Sequence, residues 1–416
     1  MNKWKRGLAA LMCGALLTAG IPASLAEDIP AIIAEQDSGE NIADLIAETE
    51  AEQWAQPVTA PTTAASLEIG GKGAILIEAD SGRILYERDS HKRLPIASVT
   101  KVMTLLLVME AIDSGQISMK DNVTCSATAA SMGGSQIWLK ENETMSVHDL
   151  VKAAAVVSAN DACAALAEHI SGSIEGFVAA MNDRAAKMGL KDTKFLDCSG
   201  LNDEAYSSAY DVAMMSRELI KHKAITEFTT IWMDTIRNGQ SQLVNTNKLV
   251  RFYQGATGLK TGTTAAAGSC LSATAERHGL SLISVILGCG STDERFGGAR
   301  KMLDYGFANY GVYTPEVDAA QLKPIPVQRG LAEQVKVSAE KPSSILIKKG
   351  EEKSVTSEVT LSKDLEAPVI KGQTVGEVVV KLNGKKVASY PVKAAENVKR
   401  LTFFAAFSRL FQALSV

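Results

Sequence analysis

The stretch from Leu94 to Ile112, LPIASVTKVMTLLLVMEAI, places a lysine inside an otherwise apolar run. Pro95 suits the first turn of a helix, and the residues after it are apolar on nearly every side, so the pattern predicts a buried helix. An ammonium group in such a core is strongly penalised unless it is paired or gives up its proton. Ser98 stands three residues before Lys101, so the two side chains share one helix face. A hydroxyl beside a desolvated amine is a nucleophile beside a base, and a helix N-terminus favours negative charge developing there. The spacing alone is not diagnostic, because Ser338 and Lys341 repeat it in a stretch with no other catalytic sign.

With 416 residues the chain can form two domains and a sizeable core. Its 22% charged and 46% hydrophobic residues fit a soluble globular protein. A net charge of −4, no basic patch with interleaved aromatics and no zinc-finger spacing argue against a nucleic-acid partner. Lys3, Lys5 and Arg6 precede an apolar run from Gly7 to Gly20, and Ser24-Leu25-Ala26 is a small-x-small cleavage site. Residues 1–26 therefore read as a secretory signal peptide, which makes the protein exported. A lipoprotein signal at Cys13 is the weaker alternative, because Ala10-Leu11-Met12 is a poor match to the residues it requires. The five remaining cysteines, Cys125, Cys163, Cys198, Cys270 and Cys289, are scattered and show no CxxC pair. They fit buried small hydrophobes better than a disulfide framework or a metal site, although one disulfide stays open.

Residues 27–66 are acidic at first, without a Lys or Arg as far as Glu52, then rich in Pro, Thr and Ala. They read as a largely disordered extension. Residues 73–79 and 83–88 are β-rich runs flanking Asp80-Ser81-Gly82, a hairpin signal. From Asn122 the pattern is mostly helical until strands at 269–276 and 280–287, followed by a helix from Asp293 to Tyr310. Strands at both sequence ends with helices between predict an α+β domain, residues 67–313, whose first and last strands meet in one antiparallel sheet. Residues 317–393 alternate apolar and polar positions in several runs and read as a small β domain, a spacer or partner-binding module. In residues 397–416, Phe403, Phe404, Phe407, Leu410, Phe411 and Leu414 gather on one helical face, with Lys399 and Arg400 at its start. This is an amphipathic helix suited to lying on a membrane; Arg409 interrupts it too early for a span.

Two further motifs lie far from Ser98 in sequence. Ser158-Ala159-Asn160 interrupts an alanine-rich, buried-looking helical region, and no other Ser-x-Asn occurs. Taken alone it reads most simply as a capping or turn motif, though polar groups in a core need partners. Lys260-Thr261-Gly262-Thr263 is the single Lys-Thr-Gly, with threonines suited to an edge strand and a glycine that lets another segment approach the backbone.

The order Ser-x-x-Lys, Ser-x-Asn, Lys-Thr-Gly is the motif set of penicillin-binding proteins and class A β-lactamases. From about Leu67 to the C-terminus the chain resembles the serine D-alanyl-D-alanine carboxypeptidases, the low-molecular-mass penicillin-binding proteins, through IASVTK, VSANDA, FLDCSGL, YSSAYDVA and GLKTGTTAAAG. The resemblance implies a β-lactamase/DD-peptidase-like α+β fold followed by a β domain and a terminal helix. It implies an enzyme that removes the terminal D-alanine from peptidoglycan pentapeptide stems, binds β-lactams covalently, needs no metal or organic cofactor and sits on the outer face of the cytoplasmic membrane. It further implies Ser98 as nucleophile, Lys101 as general base, Ser158 as proton relay, and Asn160 positioning Lys101 and the substrate amide. Lys260 and Thr261 would hold the terminal carboxylate with help from Arg295, and the backbone N–H groups of Ser98 and Thr263, flanking Gly262, would form the oxyanion hole. Lys101 and Lys260 close together would depress each other's pKa.

A β-lactamase is the nearest competing reading. Class A enzymes carry Glu-x-x-Leu-Asn between the second and third motifs, and that pattern is absent here; Ala159 also replaces the central Asp usual in their second motif. A non-catalytic wall-binding protein is a further alternative, opposed by the intactness of all three motifs. His-Glu-x-x-His and Gly-x-Ser-x-Gly are both absent, which leaves metallopeptidase and Ser-His-Asp chemistry without a motif.

Overall fold

The computed structural model describes residues 67–407. The predicted signal peptide, the acidic extension and residues 408–416 of the predicted terminal helix lie outside the described residues. The chain divides into two compact units, the second beginning at Asn309.

The first unit opens with a hairpin, β1 (Gly73–Glu78) and β2 (Ile84–Arg88). Helix α1 (Lys101–Asp113) comes next, then α2 (Val147–Val156), α3 (Asn160–Ser171), α4 (Ile174–Lys187) and α5 (Ala209–Leu219). The chain returns to the sheet as β3 (Ala256–Thr264), β4 (Gly268–Arg277) and β5 (Leu280–Cys289), and α6 (Thr292–Asn309) ends the unit. The sheet runs β2-β1-β5-β4-β3, all antiparallel, so the first and last runs of strand meet as the sequence predicts. Every residue of β1 is buried, because this strand lies inside the sheet and its GAILIE sequence is apolar on both faces until Glu78.

Local signals explain the helix boundaries. Ser146 and Ser208 cap α2 and α5 by accepting from the N–H groups of Asp149 and Asp211, each at 3.1 Å. Helix α1 has no polar face; Val102, Met103, Leu105, Leu106 and Val108 are all buried. Each such side chain contributes about 1.5–3 kcal/mol on burial, so cutting Leu105 to alanine costs about 2–5 kcal/mol.

Two differences from the sequence reading matter for the site. The helix predicted to start at Pro95 begins instead as a tight 3-10 turn, Ala97–Thr100, and becomes α-helical only at Lys101. Ala97 has φ +47°, which bends the chain into that turn. Within the stretch read as mostly helical, two short antiparallel strand pairs occur, Asn122–Thr124 with Thr144–Ser146 and Met233–Ile236 with Ser241–Val244.

The second unit is built from β structure. Val337–Ala339, Lys385–Ala394, Thr374–Leu382 and Val355–Leu361 form a sheet in that order. Tyr310–Tyr313, which the sequence reading leaves in the first domain, pairs with Ile345–Lys348 of this unit. Residues 397–402 are not helical, contrary to the sequence reading. Val398 bridges to Val369, Arg400 bridges to Gly330, and Val398 is buried in this unit's core with Ile325, Val335 and Val392. Helix begins only at residue 403, where Phe403 and Phe404 are exposed. The amphipathic pattern extends back to residue 397, but long-range pairing captures that segment first.

Candidate active site

The 3-10 turn sets the geometry of the first motif. With three residues per turn, positions i and i+3 eclipse, so Ser98 stacks directly on Lys101. Lys101 is fully buried, and its Nζ lies 3.0 Å from Ser98 Oγ, 2.6 Å from Asn160 Oδ1 and 2.7 Å from the Ser199 carbonyl oxygen. Burial pulls the Lys101 ammonium below the ordinary lysine range, and the nearby Cys163, Cys198, Asp197 and Asp161 act in the opposite sense. The two oxygens of Asn160 and Ser199 can only accept. An ammonium could donate to all three oxygens; a neutral amine would give its two N–H bonds to Asn160 and Ser199 and leave its lone pair for the Ser98 hydroxyl.

The second motif falls in the break between α2 and α3. Ser158 has φ +64°, a strained conformation for a residue with a Cβ, costing about 1–3 kcal/mol. Its hydroxyl is buried and has no hydrogen-bond partner among the described residues. Asn160 is held from both ends: its Nδ2 donates to the Gly133 carbonyl at 2.7 Å and its backbone N–H donates to the Ser135 carbonyl at 2.7 Å. Asp161, also buried, fixes that loop by accepting from the N–H groups of Ile137 and Leu139.

The third motif lies on β3, the edge strand expected from its threonines. Gly262 faces the Ser98 turn so closely that a Cβ there would lie 2.8 Å from the Ile96 carbonyl oxygen and from the Ser98 and Val99 nitrogens. Lys260 is buried, donates to the Thr261 carbonyl at 3.0 Å, and has its ammonium pushed well down, first by burial and second by the charge of Lys101. The repulsion foreseen from the sequence thus acts on Lys260 as a secondary cause, while for Lys101 burial is the cause that lowers it. Thr261 Oγ1 donates to Thr246 Oγ1 at 2.7 Å. Arg295, in the first turn of α6, reaches this strand, donating to Thr263 Oγ1 at 2.7 Å and the Gly262 carbonyl at 3.2 Å.

Ser98, Lys101 and Asn160 are therefore joined by direct contacts, as are Gly262, Thr263 and Arg295, and Gly262 packs against the Ser98 turn. Sequence reasoning gave no role to the Ser199 carbonyl, to Asp197 beneath it, or to the Gly133 and Ser135 carbonyls. Gly200 carries a readable signal, since it has φ +84° and a Cβ there would sit 1.9 Å from the Ala97 carbonyl oxygen. The five cysteines of the described residues are free and buried. No group of three or more metal-ligating side chains occurs among the described residues.

An antiparallel sheet carrying Lys-Thr-Gly on its edge, packed on a serine-lysine turn at the start of a buried helix, defines a serine acyl-transfer enzyme of the penicillin-interacting class. The sequence profile of the D-alanyl-D-alanine carboxypeptidase family (peptidase S11) matches residues 59–291, and that of the penicillin-binding protein 5 C-terminal domain matches residues 317–400. The chain is 43% identical over 343 residues to D-alanyl-D-alanine carboxypeptidase DacF of Bacillus subtilis, covering 81% of this chain and 88% of that protein. Penicillin-binding protein 5 from Haemophilus influenzae superposes with a TM-score of 0.68 at 33% identity, over 83% of this chain and all of that one. Penicillin-binding protein D2 from Listeria monocytogenes, in its ampicillin-bound form, superposes with a TM-score of 0.54 at 34% identity, over 58% of this chain and 99% of that one. The chain belongs to the D-alanyl-D-alanine carboxypeptidase family and is a serine-type D-Ala-D-Ala carboxypeptidase. The family binds D-Ala-D-Ala stems and β-lactams, and its peptidoglycan substrate lies outside the cytoplasm, which fits an exported protein.

Proposed function

We propose that Ser98 is the acylated nucleophile and neutral Lys101 its base. The observation that carries this reading is the place of Lys101 Nζ, 2.6 Å from Asn160 Oδ1, 2.7 Å from the Ser199 carbonyl oxygen and 3.0 Å from Ser98 Oγ. Ser98 Oγ bonds to the carbonyl carbon between the two terminal D-alanines as its proton passes to Lys101 Nζ. The backbone N–H groups of Ser98 and Thr263 bind the oxyanion. The C–N bond then breaks, the leaving nitrogen gains its proton through the Ser158 hydroxyl, and D-alanine departs. Water adds to the ester and returns the shortened peptide and free Ser98. Asn160 positions Lys101 and the substrate amide. Lys260, Thr261 and Arg295 hold the terminal carboxylate, whose arrival favours the charged form of Lys260. Mass spectrometry of penicillin-treated protein tests this. The drug's mass is expected on the peptide containing Ser98, and Ser98→Ala should abolish both labelling and D-alanine release. A label on Ser158 or Ser338 would overturn the assignment.

The same reading extends to organisation and place. Residues 1–26 direct export, residues 27–66 form an extension, the catalytic domain begins at residue 67 and the β domain spans residues 317–393. The enzyme rests on the outer face of the cytoplasmic membrane through the helix that starts at residue 403, after Lys399 and Arg400. Exposed Phe403 and Phe404 support this. Among the described residues no helix is long and apolar enough to cross a membrane.

A further inference from the structure

The segment at residues 195–202 has no role in the chemistry above beyond one carbonyl, yet it contains a carboxylate whose every contact serves that carbonyl. Asp197 Oδ1 accepts from the Ser199 backbone N–H at 2.6 Å, from the Ser199 hydroxyl at 3.2 Å and from the Gly200 N–H; its Oδ2 accepts from the Asn202 N–H at 2.6 Å. One side chain thus gathers three backbone N–H groups of the loop around itself. On one side of this loop the Ser199 carbonyl meets Lys101 Nζ at 2.7 Å. On the other, Gly200 is wedged against the Ala97 carbonyl and the Ser98 nitrogen. The loop therefore touches both partners of the serine-lysine pair, and Asp197 determines its shape.

We propose that Asp197 is a positioning residue for acylation: it holds the Ser199 carbonyl on Lys101 and seats Gly200 behind Ser98. The proposal rests on the reading that Lys101 is the base. The carboxylate also acts through space. The groups facing Lys101 are Asp161 and Cys163 on α3, Asp197 and Cys198 on this loop, and Lys260 on β3. Asp197 favours the charged amine, so it restrains the fall in basicity that burial produces. A base held too low would be neutral but too weak to take the serine proton. Asp197 is not placed to activate water, because its oxygens are occupied by backbone donors.

The test is the pH dependence of acylation by a fluorescent penicillin in the full chain, wild type against Asp197→Asn and Asp197→Ala. The asparagine keeps one acceptor oxygen and removes the charge. Its acid limb is expected to move to lower pH, because neutral Lys101 persists further down when the carboxylate is gone. The alanine loses the loop's organiser, and its plateau rate should fall about ten- to a hundredfold, the range set by charge-assisted hydrogen bonds. A role in stability alone would lower the melting temperature of both variants and leave the acid limb where it is. An unmoved limb in folded Asp197→Asn, or a full plateau rate in folded Asp197→Ala, overturns the proposal. Failure of the wild type to be acylated at Ser98 would instead remove the reading beneath it.

Discussion

Replacing Gly262 by alanine tests the packing of the edge strand against the Ser98 turn. An added Cβ would lie 2.8 Å from three backbone atoms, the Ile96 oxygen and the Ser98 and Val99 nitrogens, about 0.6 Å short of ordinary contact. None of these is the end of a flexible side chain, so relief requires the strand and the turn to part. That motion carries Lys260, Thr261 and Thr263 away from Ser98. A 1 Å misplacement costs about a hundredfold in rate, so this displacement should slow acylation about 10–20-fold, about 1.4–1.8 kcal/mol. Overpacking should also lower stability by about 1–3 kcal/mol. Gly297→Ala is the control, because a Cβ there meets nothing within 4 Å and an alanine inside α6 should be neutral or stabilising by about 1 kcal/mol. Penicillin acylation rates and thermal melts on both variants provide the comparison. Wild-type acylation by folded Gly262→Ala would refute the argument that this contact sets the distance between the strand and Ser98.

Arg295→Ala should reduce activity on a peptide with a free terminal carboxylate by about 1–3 kcal/mol and on its amide by less; equal losses would show that the contacts to Gly262 and Thr263 are purely structural. Lys260→Met should abolish carboxylate recognition yet stabilise the fold at neutral pH by about 1–3 kcal/mol, because a buried amine is replaced by an apolar group of similar size. The folded-state pKa of Lys260 lies below its unfolded value, so between the two the unfolded chain binds more protons and wild-type stability rises with pH. The advantage of Lys260→Met in urea melts should therefore shrink as pH climbs toward the ordinary lysine range, and a constant difference would contradict a depressed pKa. A chain ending at Thr402 should keep its second unit folded and stay off anionic vesicles that the longer chain binds, whereas one ending at Ala395 loses Val398 from the core and should melt lower. Equal pelleting of the Thr402 chain would rule out the terminal helix as anchor.

Strand alternation and the three motifs were legible because each rests on residue type at fixed spacing. The apolar run around Lys101 announced a buried helix, and the β-rich ends announced the sheet that closes through β1 and β5. What stayed hidden was carried by backbone. The Ser199, Gly133 and Ser135 carbonyls have no residue-type signature, and any side chain could have stood above them. The tight turn at Ala97–Thr100 escaped for a related reason: helical periodicity scarcely distinguishes three residues per turn from 3.6 over four residues. The segment at 397–402 misled in the opposite way, since its local pattern was sound but a pairing with Val369 and Gly330 outweighed it.

The contrast with a β-lactamase lies in particular atoms as well as in a missing motif. Such an enzyme needs a second base to drive water onto the ester. In the loop where one would stand, Asp197 is occupied by backbone donors, Asp203 accepts from Thr264 Oγ1 at 2.7 Å and Glu204 is exposed to solvent. On the proposed reading Lys101 must then serve both half-reactions. With a peptide, the departing D-alanine frees the space beside the ester, and water can approach the same amine. With a β-lactam, the leaving nitrogen remains tethered to the acyl group after the ring opens and stays where water would enter. On that reading one base and one entry route would give turnover on the peptide and a stalled ester on the drug, from the same Ser98–Lys101 pair.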